Sequence, residues 1–192
     1  MADAIRRHRF TADEYQLMGT AGILAEGDRL ELIHGEVVRM SPIGPRHNAA
    51  VSRANRAMLM AVGDRAIVQV QGSVRLGTYQ EPEPDLVLLQ PKADYYASRL
   101  AGPSDILLVV EVAESSFEYD CEVKARIYAE VAIREYWLVD LNTNLLSCYS
   151  APQDGAYRSL RQYQRGEPIA PQALPECIIP VDVLLPVEEG VS

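Results

Sequence analysis

The stretch of sequence that decides the fold reads EPEPDLVLLQ over 81–90, ILLVVEVAESS over 106–116, FEYDCEVKARIYAEV over 117–131 and REYWLVDL over 134–141. Residues 86–89 and 106–110 are apolar runs with the length and branched side chains of buried strands, and Pro91, Gly102 and Pro103 supply turn signals between them. Paired antiparallel, the start of the first lies beside the end of the second. Asp85 and Glu111, with 25 residues between them, then meet at one edge of a sheet, which is the outline of a divalent-cation site.

Residues 117–131 follow a helical pattern, with Tyr119, Val123, Ile127 and Val131 at four-residue intervals forming an apolar stripe. Residues 135–141 return to a strand pattern. Strand, helix and strand in this order predict a right-handed crossover, with the last strand parallel to the one that ends at Glu111. The helix must then cross the sheet, so that Lys124 in its second turn can point back to the carboxylate edge. Two oxygen ligands and one ammonium suit phosphodiester hydrolysis, because Mg²⁺ binds through one or two carboxylates together with water and substrate phosphate. The ion polarises the phosphoryl oxygen and lowers the pKa of water, while a lysine orients that water or neutralises developing charge.

The same residues carry a family likeness. Pro84-Asp85, Glu111-Val112-Ala113, Asp120, Lys124, Tyr128 and the run Glu135-Tyr136-Trp137-Leu138-Val139-Asp140 resemble the Uma-two-type restriction endonucleases, a bacterial branch of the PD-(D/E)XK nuclease superfamily. The elements occur in the right order at compatible spacings, and the resemblance spans about 11–185. It implies an α/β, restriction-endonuclease-like fold: a mixed β-sheet flanked by helices, with an αβββαβ core and added strands. It also implies a DNA endonuclease that depends on Mg²⁺, with Mn²⁺ as a substitute. Asp85 and Glu111 would bind the metal, the Val112 carbonyl would be a further ligand, and Lys124 would position the attacking water. The wider superfamily carries its lysine two residues after the acid on one strand, where this chain has Ala113; in this branch the lysine comes from the following helix, here Lys124. An acidic residue also follows the family's hairpin glycine, which carries over to Glu36 as an assisting third acid; a solvated hairpin carboxylate is the alternative.

At 192 residues, 48% hydrophobic and 23% charged, the chain has the size and composition of one globular domain. The expected core is about 11–185, followed by a frayed acidic tail over 186–192. No apolar run approaches the ~20 residues of a membrane span, and the basic opening MADAIRRHRF lacks the apolar stretch of a secretory signal. Cys121, Cys148 and Cys177 are odd in number and widely spaced, so neither a disulfide framework nor a zinc site is expected, and a cytoplasmic location is. A net charge of -9 opposes non-specific DNA binding. The charge is unevenly spread: residues 1–60 carry +1 and residues 61–192 carry -10, so a nucleic-acid face should draw on the first third. Only Lys92 and Lys124 among the 18 basic residues are lysine.

Along the chain, Thr11 and Glu14 have capping-box spacing for a short helix. Residues 30–33 and 37–40 flank His34-Gly35, a hairpin turn. A helix over 46–62 buries Ala50, Val51, Ala54, Met58 and Ala61, while Arg46, Arg53 and Arg56 share the opposite sector as a phosphate-contacting stripe or a solvated face. His47 could reach a scissile phosphate or stand behind a metal ligand. Asp120, four residues before Lys124, could hold the ammonium in place or form an ordinary surface pair. Residues 66–76 read as one strand, 145–150 and 157–163 as a hairpin across Asp154-Gly155, and 177–185 as a closing strand. Glu81 and Glu83 could add ligand oxygens or be solvated. A binding module that uses this fold on nucleic acid or protein without cutting is the alternative function, and twofold cutting of duplex DNA predicts a homodimer.

Overall fold

A computed structural model of the chain describes residues 7–25 and 27–186; the acidic tail at 187–192 lies outside them. Helix α1 (Ala12–Thr20) starts at a capping box in which the Thr11 amide donates to Glu14 and the Glu14 amide to Thr11 Oγ1. Strands β1 (Leu30–Ile33) and β2 (Glu36–Arg39) form an antiparallel hairpin. Its turn residues His34 and Gly35 have φ of 51° and 77°, the left-handed pair that a two-residue turn of this twist requires. A Cβ on Gly35 would lie 2.8 Å from the Cβ of Arg9, so both backbone angle and space call for glycine there. Helix α2 (Pro45–Val62) follows, opened by a proline whose missing N–H costs a first turn nothing.

The six-stranded sheet has the order β3-β4-β5-β6-β7-β8, built from Ile67–Val70, Leu86–Leu89, Ile106–Ala113, Glu135–Asp140, Leu145–Gln153 and Ala156–Tyr163. Neighbours are antiparallel except β5 and β6, which are parallel. The parallel pair is joined by helix α3 (117–130). Short strands β9 (Pro168–Ile169) and β10 (Ile179–Pro180) pair with each other beside α2. Among the described residues no helix is long and apolar enough to cross a membrane.

Each face of the sheet carries its own core. Leu86, Leu88, Leu108, Val110, Val112, Trp137 and Val139 pack under α2 and the C-terminal segment. Val87, Leu89, Val109, Ala113, Tyr136 and Leu138 pack under α3 with Ile127 and Tyr128. Covered on both sides, β4 and β6 read as continuous apolar runs rather than alternating ones. The alternation along β5 puts Glu111, between Val109 and Ala113, on the α3 face.

Three elements differ from the sequence expectation. The strand expected over 66–76 stops at Val70, because Gln71 takes φ 46° and Gly72 follows. The closing strand expected over 177–185 is only two residues long, since Pro180 has no N–H to extend the ladder and the chain turns into a 3₁₀ helix at Val181–Val183. Helix α3 is α-helical over Phe117–Tyr119, π-helical over Asp120–Lys124 and α-helical again over Ala125–Glu130. The residue inserted by the π turn shifts the inward face: Asp120, Lys124, Ile127 and Tyr128 are buried, whereas Tyr119, Val123 and Val131 are only partly so. Leu88 is fully buried and Leu160 on β8 is 56% exposed. Leu88→Ala should therefore cost about 2–5 kcal/mol in urea denaturation, and Leu160→Ala within about 0.5 kcal/mol of nothing; similar losses at both positions would contradict the layering.

Candidate active site

The site begins where the β4–β5 ladder ends. Leu86 pairs with Val110, so the next rung would join Asp85 to Glu111, and Pro84 beyond it has no N–H to donate. Side chains take over from the backbone at this point. The Asp85 amide donates to Glu111 Oε2 at 3.2 Å, and the Val112 amide donates to Asp85 Oδ2 at 2.9 Å. The two carboxylates are thereby fixed side by side by each other's strands. From α2, His47 Nε2 lies 3.0 Å from Asp85 Oδ2, and Gln71 Nε2 donates to Asp85 Oδ1 at 3.3 Å.

Helix α3 supplies the cation. Lys124 Nζ sits 3.0 Å from Glu111 Oε1 and 3.2 Å from Glu31 Oε2. One turn on, the Tyr128 hydroxyl donates to Glu111 Oε1 at 2.8 Å. Glu31 comes from the β1–β2 hairpin, so this single ammonium ties together the hairpin, the sheet and the helix. One of its three N–H donors bonds Glu111 Oε1, and Glu31 is held as an ion pair. The Ser116 hydroxyl, at the start of α3, donates to Asp120 Oδ2 at 2.6 Å.

Four carboxylates, Glu31, Asp85, Glu111 and Asp120, are buried here against one buried lysine. Burial works against the charge on Lys124, but Glu111, Glu31 and Asp120 outweigh it and hold the ammonium protonated. Burial pushes Glu111 and Asp120 up from the carboxylate range, reinforced by the neighbouring negative charges and only partly offset by Lys124. Asp85 goes the other way: despite burial, the His47 hydrogen bond and charge and the Val112 amide lower it. Burial also disfavours charge on His47, yet Asp85 raises its pKa.

These groups line a cleft of ≈ 290 Å³, with Arg29, Arg39, Glu83 and Tyr119 also on its wall. Among the described residues no three or more His, Cys, Asp or Glu side chains are drawn together as a ligand set. The donor chemistry nonetheless fits a hard divalent ion, which needs only one or two carboxylates with water and substrate oxygen for the rest. Asp85 and Glu111 lie side by side, the surroundings hold an excess of buried negative charge, and no thiol lines the cleft. The Val112 carbonyl leaves its strand on the same side as the amide that reaches Asp85.

The sequence matches, over residues 12–182, the family Uma2, described as "Putative restriction endonuclease". The chain belongs to the Uma2 family. No curated protein matches it. Among solved structures, that of "a putative nuclease belonging to DUF820" from Anabaena variabilis ATCC 29413 superposes with a TM-score of 0.72, over 91% of this chain and 97% of that one, at 14% identity. The fold of this Uma2 member is thus restriction-endonuclease-like, as its sequence resemblance implies.

Asp85, Glu111, Val112 and Lys124 converge in the Uma2 chain, with His47 and Asp120 beside them. Glu36 does not join them. It follows the hairpin turn on β2 with its side chain 64% exposed, 3.9 Å from Arg7, and the carboxylate that enters from this hairpin is Glu31 on β1. The signal for Glu31 is a lone charge inside the apolar run Leu30-Glu31-Leu32-Ile33. Arg46 and Arg53 spend hydrogen bonds on the carbonyls of Leu141 and Leu185, Arg46 also pairs with Glu114, and Arg56 is exposed; of the three, none lines the cleft. Asp120 is held by Ser116, and the closer partners of Lys124 are Glu31 and Glu111. Glu83 reaches the cleft, whereas Glu81 is buried against Arg75 and Gln16.

A carboxyl raised by folding keeps a proton that the unfolded chain releases, so its contribution to stability is complete below the unfolded pKa and is lost as pH rises through the folded one. Glu111 and Asp120 act in this sense, and so does His47 over its own range. With chelator present, stability should fall from about pH 5 to about pH 8, and Asp120→Asn should flatten that slope in urea denaturation. Identical slopes for the two proteins would show that Asp120 is ionised throughout.

Proposed function

We propose that the chain is a divalent-metal-dependent endonuclease that hydrolyses phosphodiester bonds in DNA. The observation that carries this reading is the meeting of Asp85, Glu111 and Lys124 at one end of the sheet, inside a cleft, in a chain of the Uma2 family. Mg²⁺, or Mn²⁺ in its place, would be held by Asp85 and Glu111 with the Val112 carbonyl. When bound, the ion would supply Lewis-acid polarisation of the phosphoryl group.

The chain's own side chains do the rest. Lys124, fixed by Glu111 and Glu31, presents an N–H not bonded to Glu111 to the attacking water or to a phosphate oxygen and offsets the negative charge that grows there. Tyr128 and Lys124 together hold Glu111 Oε1 in one orientation. His47 and the Val112 amide do the same for Asp85, so neither carboxylate has to be ordered during the reaction. Glu31 acts through Lys124 as a positioning residue. Arg29, which donates to the Ser41 carbonyl, and Arg39, paired with Asp28, are basic residues on the cleft wall and would meet phosphates flanking the scissile one.

Supporting a cytoplasmic site of action, all three cysteines are free thiols. A homodimer is the assembly that would cut both strands symmetrically, and light scattering showing only monomer at working concentration would remove it. For catalysis, supercoiled plasmid should be nicked by the wild-type protein with Mg²⁺ or Mn²⁺ and not with EDTA. The isosteric variants Asp85→Asn and Glu111→Gln should lose roughly 10²-fold or more in rate. Equal nicking by wild type and variants, or none by any, would favour the alternative, a non-catalytic binding module.

A further inference from the structure

Tyr119 has no role in the scheme above. It lies on the cleft wall with Asp85, Glu111 and Lys124, at the end of the first α-helical turn of α3, immediately before the π turn. Its hydroxyl oxygen is buried yet has no hydrogen-bond partner in the protein. That is unusual for this chain. Six other tyrosine hydroxyls contact a protein partner, among them Tyr128 on Glu111, Tyr136 on the Asp120 carbonyl and Tyr157 on the Ile133 carbonyl. A buried phenol with no acceptor loses its hydration without compensation, at a cost comparable to a lost hydrogen bond.

Nor is the ring explained by packing, because Tyr119 belongs to neither of the two core clusters. The residue lines the cleft wall and joins neither hydrophobic core. It is also the right kind of donor for an acidic cleft. Burial, together with the charges of Glu31, Asp120 and Glu111, raises its pKa, so the phenol keeps its proton. A neutral O–H adds no charge that the surrounding carboxylates would trap in an ion pair, which is the fate of Lys124.

We propose that Tyr119 is a substrate-binding residue whose phenol donates a hydrogen bond to a non-bridging oxygen of the phosphodiester in the cleft. The inference rests on the nuclease reading and deepens it. The chemical class recognised is the phosphate backbone, not a base, since a single donor beside the carboxylates meets the group on which they act.

The test compares Tyr119→Phe with wild type. Three measurements are needed: the melting temperature, the affinity for a fluorescein-labelled DNA duplex in EDTA, where no turnover occurs, and plasmid nicking in Mg²⁺. Because the hydroxyl has no protein partner and its burial is uncompensated, the variant should melt at the wild-type temperature or above it. Its affinity and its kcat/KM should each fall about tenfold or more, as expected for one hydrogen bond to a charged group. Unchanged affinity and kcat/KM in a wild type that does nick would overturn the role of Tyr119 and leave the nuclease reading intact. A lowered melting temperature would assign the hydroxyl to the fold and also overturn the proposal. No nicking by wild type would remove the nuclease reading and this inference with it.

Discussion

One buried ammonium holds this site together. Lys124 reaches Glu111 on the sheet and Glu31 on the hairpin from helix α3. A lysine taken out of water is stable only when paired, and buried carboxylates are stable only when something offsets their charge. Each side therefore supplies what the other lacks. The balance is incomplete, since four buried carboxylates face one lysine, and the raised pKa values of Glu111 and Asp120 are the physical trace of that excess.

The second constraint is the way the sheet ends. A proline at 84 removes the donor that would extend the β4–β5 ladder, so the vacated rung is taken by an exchange between the Asp85 and Val112 amides and the Glu111 and Asp85 carboxylates. Rigid backbone thus aims two acids at one opening. The π turn at Asp120–Lys124 does the matching work on the helix side, turning Lys124 and Tyr128 inward onto the same carboxylate oxygen. An active site made in this manner uses irregularities, a broken ladder and an underwound helix turn, at the points where regular structure would have pointed side chains elsewhere.

Several residues of the cleft were legible because their placement follows from strand pairing. Once 86–89 and 106–110 are read as antiparallel neighbours, Asp85 must lie beside Glu111, whatever the rest of the chain does. Lys124 follows from the strand-helix-strand order. Glu31 was harder to read: on its own, a glutamate in a four-residue strand looks like the solvent side of a hairpin, and only docking of that hairpin against α3 buries it. Glu36 pairs with Ile33 and so shares the face of Glu31, but it sits at the turn end of the hairpin, where its side chain is exposed beside Arg7. The arginines of α2 could be read as a stripe, but not as donors to the Leu141 and Leu185 carbonyls, which arrive from distant parts of the chain.

What the sequence determined by itself was local pattern and its direct consequences: which runs are strands and helices, where prolines and glycines interrupt them, and which acids fall at strand ends. Those follow from periodicity, backbone sterics and hydrogen-bond accounting, which act over a few residues. Tertiary structure alone decided which faces meet. It set the one-residue shift in α3, the burial of Glu31 and the orphaned hydroxyl of Tyr119, because these depend on how separate elements share a small volume of low dielectric, and no short stretch of sequence contains that information.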